Sequence, residues 1–367
     1  MMGPAMSDLG NEDARGALLA DRPLVQGKVP RRRRLENVAA WTIVTFAWLL
    51  ALLGLVGPLL GGSDPGLQGP IGFASETAAA MWVQGGLLTT VFGVLALVRR
   101  HWWPAAALAP IALFTLLPEL CTSSRPRDDH LRGEAPLRVA TVSLEKENKD
   151  DPLMEACLRE IDADVLVLLE VTKPWAERLE QWFCGDYPHR WLAAAPEHPL
   201  SREELQIAVW SRLPPAGDHE VWNLGKYNSQ IRVTLRWHDR VFALYGIHPR
   251  KPFPYAVYSR AWRDRKQVLD WIGRERLPMV VAGDFNATPR SAFLHRLRRL
   301  GLANASEAVC GCAPATWPMH PGLLAPFRVA LDHVMHSESF TAVDFRTGLG
   351  TNSVHSSVVA DLVWLEK

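Results

Sequence analysis

"PMVVAGDFNATP" (residues 278–289) is the stretch on which the fold turns. A short, β-branched apolar run reads as a buried strand. A carboxylate directly behind such a run is costly unless it is paired or bound to a metal. Asp284 and Asn286 stand two apart, so on an extended segment both point to one face while Phe285 packs on the other. Gly283 lets backbone or ligand approach closely. One carboxylate and one amide on a shared face suit a hard cation and a phosphate oxygen better than a soft metal.

The same design recurs outward along the chain. "DVLVLLEVT" (164–172) delivers Glu170, "VFALYGIH" (241–248) delivers His248, and "RVALDHVMHS" (328–337) delivers Asp332 and His333. A capping Asp or a salt-bridged Glu explains one such residue. Four strands ending this way point to a site. "LRVATVSL" (137–144), "IAVWS" (207–211) and "QIRVTLRW" (230–237) also read as strands, the last joined to 241–248 through His238-Asp239 as a hairpin. Helical stretches fall near 151–162, 175–183 and 255–276. Hairpins mixed with helices predict two packed sheets with helices outside, not a purely parallel sheet.

Taken in order, "DVLVLLEVT", "GIHPRKP" (246–252), "VVAGDFNATP", "RVALDHVMHS" and "SVHSSVVADL" (353–362) resemble the endonuclease/exonuclease/phosphatase superfamily, whose fold is that of pancreatic deoxyribonuclease. The resemblance covers roughly 137–365 and is similar to a bacterial membrane-anchored branch. It implies a four-layered αββα sandwich and hydrolysis of phosphodiesters or phosphomonoesters with Mg²⁺ (or Mn²⁺). It assigns metal binding to Glu170 and Asp284, phosphate contact to His248, alignment or deprotonation of water also to Asp284, and phosphate holding to Asn286. Asp332 would orient His355. "TWP" (316–318) resembles a loop of the same branch; Trp317 would wall the cleft for substrate, or pack in the core.

Two positions depart from the family pattern. Ser143 stands where an asparagine usually holds metal or phosphate, and Val354 stands where an aspartate, usually a metal ligand, precedes the histidine. Ser143 is therefore a substrate-side candidate. Asn352 could supply a metal oxygen in compensation, and Glu145 shares a strand face with Ser143, with Asn148 just beyond. Magnesium needs only one or two carboxylates beside substrate phosphate and water. Two readings stand: an altered hydrolase, of nuclease or phospholipid-directed type, or an inactive member acting as a phosphate-ligand or partner-binding module.

The first third has another character. Residues 38–60 and 77–98 carry no charge, and 102–118 forms a third apolar run with Pro104, Pro110 and Pro118. About 20 apolar residues span a bilayer, so the expected layout is a disordered tail (1–37), a three-span anchor (38–120), a linker (121–136) and the sandwich domain (137–367). The third run is either a kinked span or a re-entrant segment. "RRRR" (31–34) and "RRH" (99–101) flank the runs, whereas loop 61–76 holds Asp64 and Glu76 and no cation. The positive-inside rule then predicts a multi-pass cell-membrane protein with its sandwich domain on the extracytoplasmic side.

From Leu137 onward, 28 basic residues balance 28 acidic ones. No global field announces a nucleic-acid partner, so the partners expected are the bilayer and a phosphoester, either nucleic acid or a phospholipid head group. The Arg-bearing helices 255–271 and 294–300 read as solvated faces or as a nucleic-acid grip. Five scattered cysteines exclude a disulfide framework; they read as inert thiols, or as one bridge from Cys184 to Cys310 or Cys312.

Overall fold

The computed structural model describes residues 31–59, 69–120, 135–145, 152–193, 206–224, 229–319, 327–348 and 353–365. Four helices come first: α1 (Arg31–Leu59), α2 (Pro70–Ala80), α3 (Trp82–Val98) and α4 (Trp102–Leu120). Then follow β1 (Leu137–Ser143), α5 (Pro152–Ile161), β2 (Val165–Val171), α6 (Lys173–Phe183), β3 (His189–Ala193), β4 (Gln206–Ser211) and β5 (Glu220–Asn223). The chain continues through β6 (Ser229–Trp237), β7 (Arg240–Ile247), α7 (Tyr255–Ile272), β8 (Met279–Asp284), α8 (Ala292–Arg299), β9 (Ala303–Asn304) and α9 (Ala305–Cys310). It closes with β10 (Asp332–His336), β11 (Phe340–Thr347) and β12 (Val358–Trp364).

The strands form two six-stranded sheets, ordered β11-β12-β1-β2-β4-β3 and β5-β6-β7-β8-β10-β9. Period-two alternation sorts their side chains. Val139, Val167, Val209, Val233, Leu244 and Val280 meet between the sheets in one core. Val142, Leu166 and Leu168 turn outward under α5 and α6, while Tyr245, Val281 and Met335 turn outward under α7 and α8. The result is the four-layered αββα sandwich. It is a mixed architecture: β1–β2 and β7–β8 run parallel and the other pairs antiparallel. No disulfide joins the four described cysteines, so the Cys184 bridge is absent.

The N-terminal third differs from its expected layout. Residues 31–37 begin α1 and do not extend a tail, and residues 1–30 and 121–134 lie outside the described residues. Among the described residues one helix, Arg33–Leu55, is by itself long and apolar enough to cross a membrane. The second run is broken: α2 and α3 meet at Met81 with a bend of 73°. The third run is one helix, apolar over Trp102–Leu116 and shorter than the first. Gly86 of α3 faces Thr115 of α4 too closely to admit a Cβ, as small residues permit in helix pairs. Leu88, Val91, Val94, Leu95, Leu113 and Phe114 leave an exposed apolar belt.

Candidate active site

Strand parity brings the polar residues together. On β8, Val280 and Ala282 face between the sheets, and Asp284 follows them; on β10, Val334 does so and Asp332 shares its parity. Asp284 and Asp332 are direct partners in the antiparallel register. His248 continues the parity of Phe242 and Leu244, and Ser143 that of Val139. Gly283 is required here: at φ 147° its missing Cβ would collide with the Ile247 carbonyl.

Glu170 breaks parity. Val165, Val167 and Leu169 face inward, so an ideal strand would turn Glu170 outward toward α6. A register shift between Leu168 and Val171, with φ +57° at Glu170, turns it instead to line the cleft. Bulges re-aim side chains in this way. Glu145 (φ 57°) and Asn286 (φ 48°) are also left-handed, so three of the strained residues gather at one cleft.

The cleft has a volume of about 870 Å³ and is lined by Ser143, Glu145, Glu170, His248, Asp284, Asn286, Trp317, Val354 and His355, among others. Asp332 stands behind: its Oδ2 lies 2.9 Å from His355 Nδ1. His355 Nε2 is 4.0 Å and His248 Nε2 3.5 Å from Asp284 Oδ2. Burial opposes a charged His355, yet the carboxylates around it, Asp332 foremost, outweigh burial and raise it to about 9. Burial, then the like charge of Asp332, pushes Asp284 up to about 6. Ligand atoms of Asp284, Asp332 and His355 also lie within 4.8 Å of one another, a spacing a metal ion could use.

Two expectations need correction. Asn286 is not on an extended segment: its N–H donates to Asp284 Oδ1 at 2.7 Å and its Nδ2 to the Pro249 carbonyl at 3.0 Å. The turn still sends Phe285 into the outer core. His333, grouped by sequence with the strand-end residues, points away from the cleft. It is fully buried, driven down to about 4 by burial, and lies 2.9 Å from the Ala287 carbonyl and 3.2 Å from Asn304 Nδ2. Its neutral ring holds the 284–288 turn from below. Asn352 and Asn148 lie outside the described residues.

Sequence reading missed the supports. Gln230, fully buried, clamps the His248 backbone: its Oε1 accepts from the N–H and its Nε2 donates to the carbonyl. Thr316 Oγ1 accepts from the Leu331 and Asp332 N–H groups. Glu145 Oε2 accepts from the Val354 N–H at 3.0 Å, so an acid from β1's extension reaches the turn that lacks its own. The nearest sequence signal was the shared strand face of Ser143 and Glu145.

A four-layered sandwich with acids and histidines at its inner strand ends defines a phosphoesterase-type scaffold, and sequence comparison agrees. Residues 146–353 match the Endonuclease/Exonuclease/phosphatase family, and the chain belongs to it. An endonuclease/exonuclease/phosphatase from Beutenbergia cavernae DSM 12333 is similar with a TM-score of 0.53 and 23% identity, covering 63% of this chain and 72% of that one. Humanized D. rerio TDP2 gives 0.50 and 12%, and an endonuclease/exonuclease/phosphatase from Bacteroides vulgatus 0.50 and 14%, each covering 63% of this chain and 100% of the other. At these identities the likeness concerns the fold. No curated protein sequence matches the chain.

Proposed function

We propose that the chain is a membrane-anchored, divalent-metal-dependent phosphoester hydrolase. One observation carries this reading: Asp284 sits between two imidazoles, 3.5 Å and 4.0 Å away, with Asp332 bound behind the second. A carboxylate near 6 is poised to take a proton from water at neutral pH. His355, held charged by Asp332, presents Nε2 to the cleft as a donor to a phosphoryl oxygen. His248 and Asn286 position the phosphate. Water adds to phosphorus, one P–O ester bond breaks, and the leaving oxygen takes a proton.

The donor set fits a hard cation. Glu170, Glu145 and Ser143 offer only oxygens along one cleft wall, and Mg²⁺ or Mn²⁺ bound there would neutralise charge on the phosphoryl group. We favour this wall over the Asp284–Asp332–His355 cluster because the Asp332–His355 hydrogen bond already occupies that pair. Glu145 thus takes the place of the acid absent at Val354.

The same reading puts the domain outside the cell. α3 and α4 form a hairpin of 17 and 19 residues, about 26 and 28 Å long at 1.5 Å per residue, close to the ~30 Å hydrocarbon layer. The α2–α3 end meets the sandwich, Gln84 Nε2 donating to the Arg328 carbonyl at 2.9 Å. The cationic Arg99–His101 turn lies at the opposite end of α3, as a cytoplasmic turn should. With α1, this supports three spans and an extracytoplasmic domain.

The test is hydrolysis of bis(p-nitrophenyl) phosphate by the full-length protein with Mg²⁺, Mn²⁺ or chelator. Metal-dependent turnover is expected. Its absence, with the fold intact, would assign the chain to the inactive phosphate-binding class.

A further inference from the structure

The cleft has two chemically different walls, and the second is made by the anchor. Phe73, Thr77, Ala80 and Met81 of the α2 segment line the same cavity as Asp284 and His355. Phe253, Tyr258, Trp317 and Val354 continue the apolar lining. Met81 is 39% exposed and Phe253 60%, although both face this cavity. Exposed apolar side chains concentrated in a cleft beside a polar site mark where an apolar group is meant to lie.

This wall is fixed. Arg265 of α7, with no exposed surface, lies 2.9 Å from Glu76 Oε1 of α2, and its other amino group donates to the Asn286 carbonyl at 2.5 Å. Glu76 Oε2 also accepts from the Ala292 N–H at 3.4 Å. Phe73 packs against Phe253, Tyr255 and Tyr258 with ring centroids 5.3–5.5 Å apart. Arg290 covers the Trp82 ring at 4.9 Å. A buried ion pair joins anchor and sandwich, so α2 is part of the cleft and not a passing tether.

α2 leads at Met81, through its 73° bend, directly into the membrane hairpin. The apolar wall is therefore continuous with the bilayer side of the molecule, while the acids and imidazoles form the cleft's inner end. Exposed Lys251 lines the cavity and suits an anionic head, while Arg250 beside it is paired with Asp264 at 3.1 Å. On the basic helices, three of the cations are already engaged. Arg265 is buried against Glu76, Lys266 pairs with Asp270, and Arg298 pairs with Glu307.

We infer that the substrate is an amphiphile whose phosphoester is attached to a membrane-resident hydrocarbon group: the phosphate enters toward Asp284 and the hydrocarbon runs along Phe73, Ala80 and Met81 toward the bilayer. This rests on the phosphoester hydrolase reading above. The reaction is the same hydrolysis, with the lipid or its head group as leaving alcohol.

The experiment reconstitutes the full-length protein into vesicles of mixed phosphatidylglycerol, phosphatidylethanolamine, phosphatidylcholine and phosphatidic acid. Mn²⁺ is added and phosphorus NMR follows turnover. Bis(p-nitrophenyl) phosphate and a single-stranded oligonucleotide are assayed in parallel. Lipid phosphoester should turn over at least tenfold faster than oligonucleotide. Met81→Asp, which puts a charge on the apolar wall, should lower the ratio of lipid to bis(p-nitrophenyl) phosphate rates about tenfold, and Met81→Leu should restore it. Turnover of the soluble ester with none of lipid, or oligonucleotide cut as fast as lipid, overturns the amphiphile proposal and leaves the hydrolase reading standing. No turnover of any substrate overturns both.

Discussion

The two turns that close the cleft come from different sheets and are secured in different ways. The 284–288 turn is held from every side: Asp284 by the Asn286 N–H, Asn286 by Arg265 and Pro249, Ala287 by His333. The 353–357 turn is tied mainly to other segments: the Met319 and Gly348 N–H groups donate to the Val354 and Ser357 carbonyls, and the Ser356 N–H donates to the Thr316 carbonyl. Ser353 Oγ accepts from the His355 N–H, Asp332 grips His355, and Glu145 reaches across to the Val354 N–H. The first turn carries its own acid, while the second borrows two from other strands. The second turn's chemistry therefore depends on how neighbouring strands deliver Glu145 and Asp332, and Val354 gives it no acid of its own.

The sharpest break in the comparison is on the self-sufficient side. Asp284→Asn removes the proposed base and should lower turnover of bis(p-nitrophenyl) phosphate by about 10²–10⁴-fold, with the fold unchanged by circular dichroism. Next is the clamp beneath the same turn. Glu76→Ala leaves Arg265, which has no exposed surface, charged and unpaired; such losses cost ~3–5 kcal/mol. Chemical unfolding of the full-length protein should shift accordingly. An unchanged midpoint would mean that α2 does not bear on the sandwich.

The borrowed side should respond through pH. Activity requires Asp284 ionised and His355 charged, so it should rise as pH passes about 6 and fall as pH passes about 9. Asp332→Asn removes the charge that holds His355 up, so burial then lowers it and the alkaline limb moves to lower pH. The same change removes the like charge that raises Asp284, so the acid limb moves down too. A profile displaced on one side only would separate the two turns.

Much of this was legible because strands obey period two. Asp284, Asp332 and His248 follow from apolar runs that end in a polar residue, and the sheets' parity brings them to one gap. Glu170 was legible as a residue but not as a direction: alternation alone points it outward, and only the bulge after Leu168 reverses it. His333 shows the converse, since its neighbour Asp332 takes the inward face and leaves it to the outer core. α2 left little local trace. Glu76 counted only as a loop charge, because its partner Arg265 is 189 residues away, and no window of sequence reads such a distance.

The finest test concerns whether Glu145 truly stands in for the missing acid. If its carboxylate serves only as a cap on the Val354 N–H, Glu145→Gln keeps an acceptor oxygen at the same place and changes little. If it also holds the cation, the amide loses a charge beside Glu170. Mn²⁺ affinity, read by electron paramagnetic resonance without substrate, should then weaken on the order of tenfold, as metal-site partners do. Val354→Asp in the same chain places a carboxylate on the exposed rim of that wall, and should recover the affinity in the double variant. Recovery would mean that the charge, and not the strand it comes from, is what this wall requires. Loss without recovery would make Glu145's left-handed position at the end of β1 a geometric requirement in its own right.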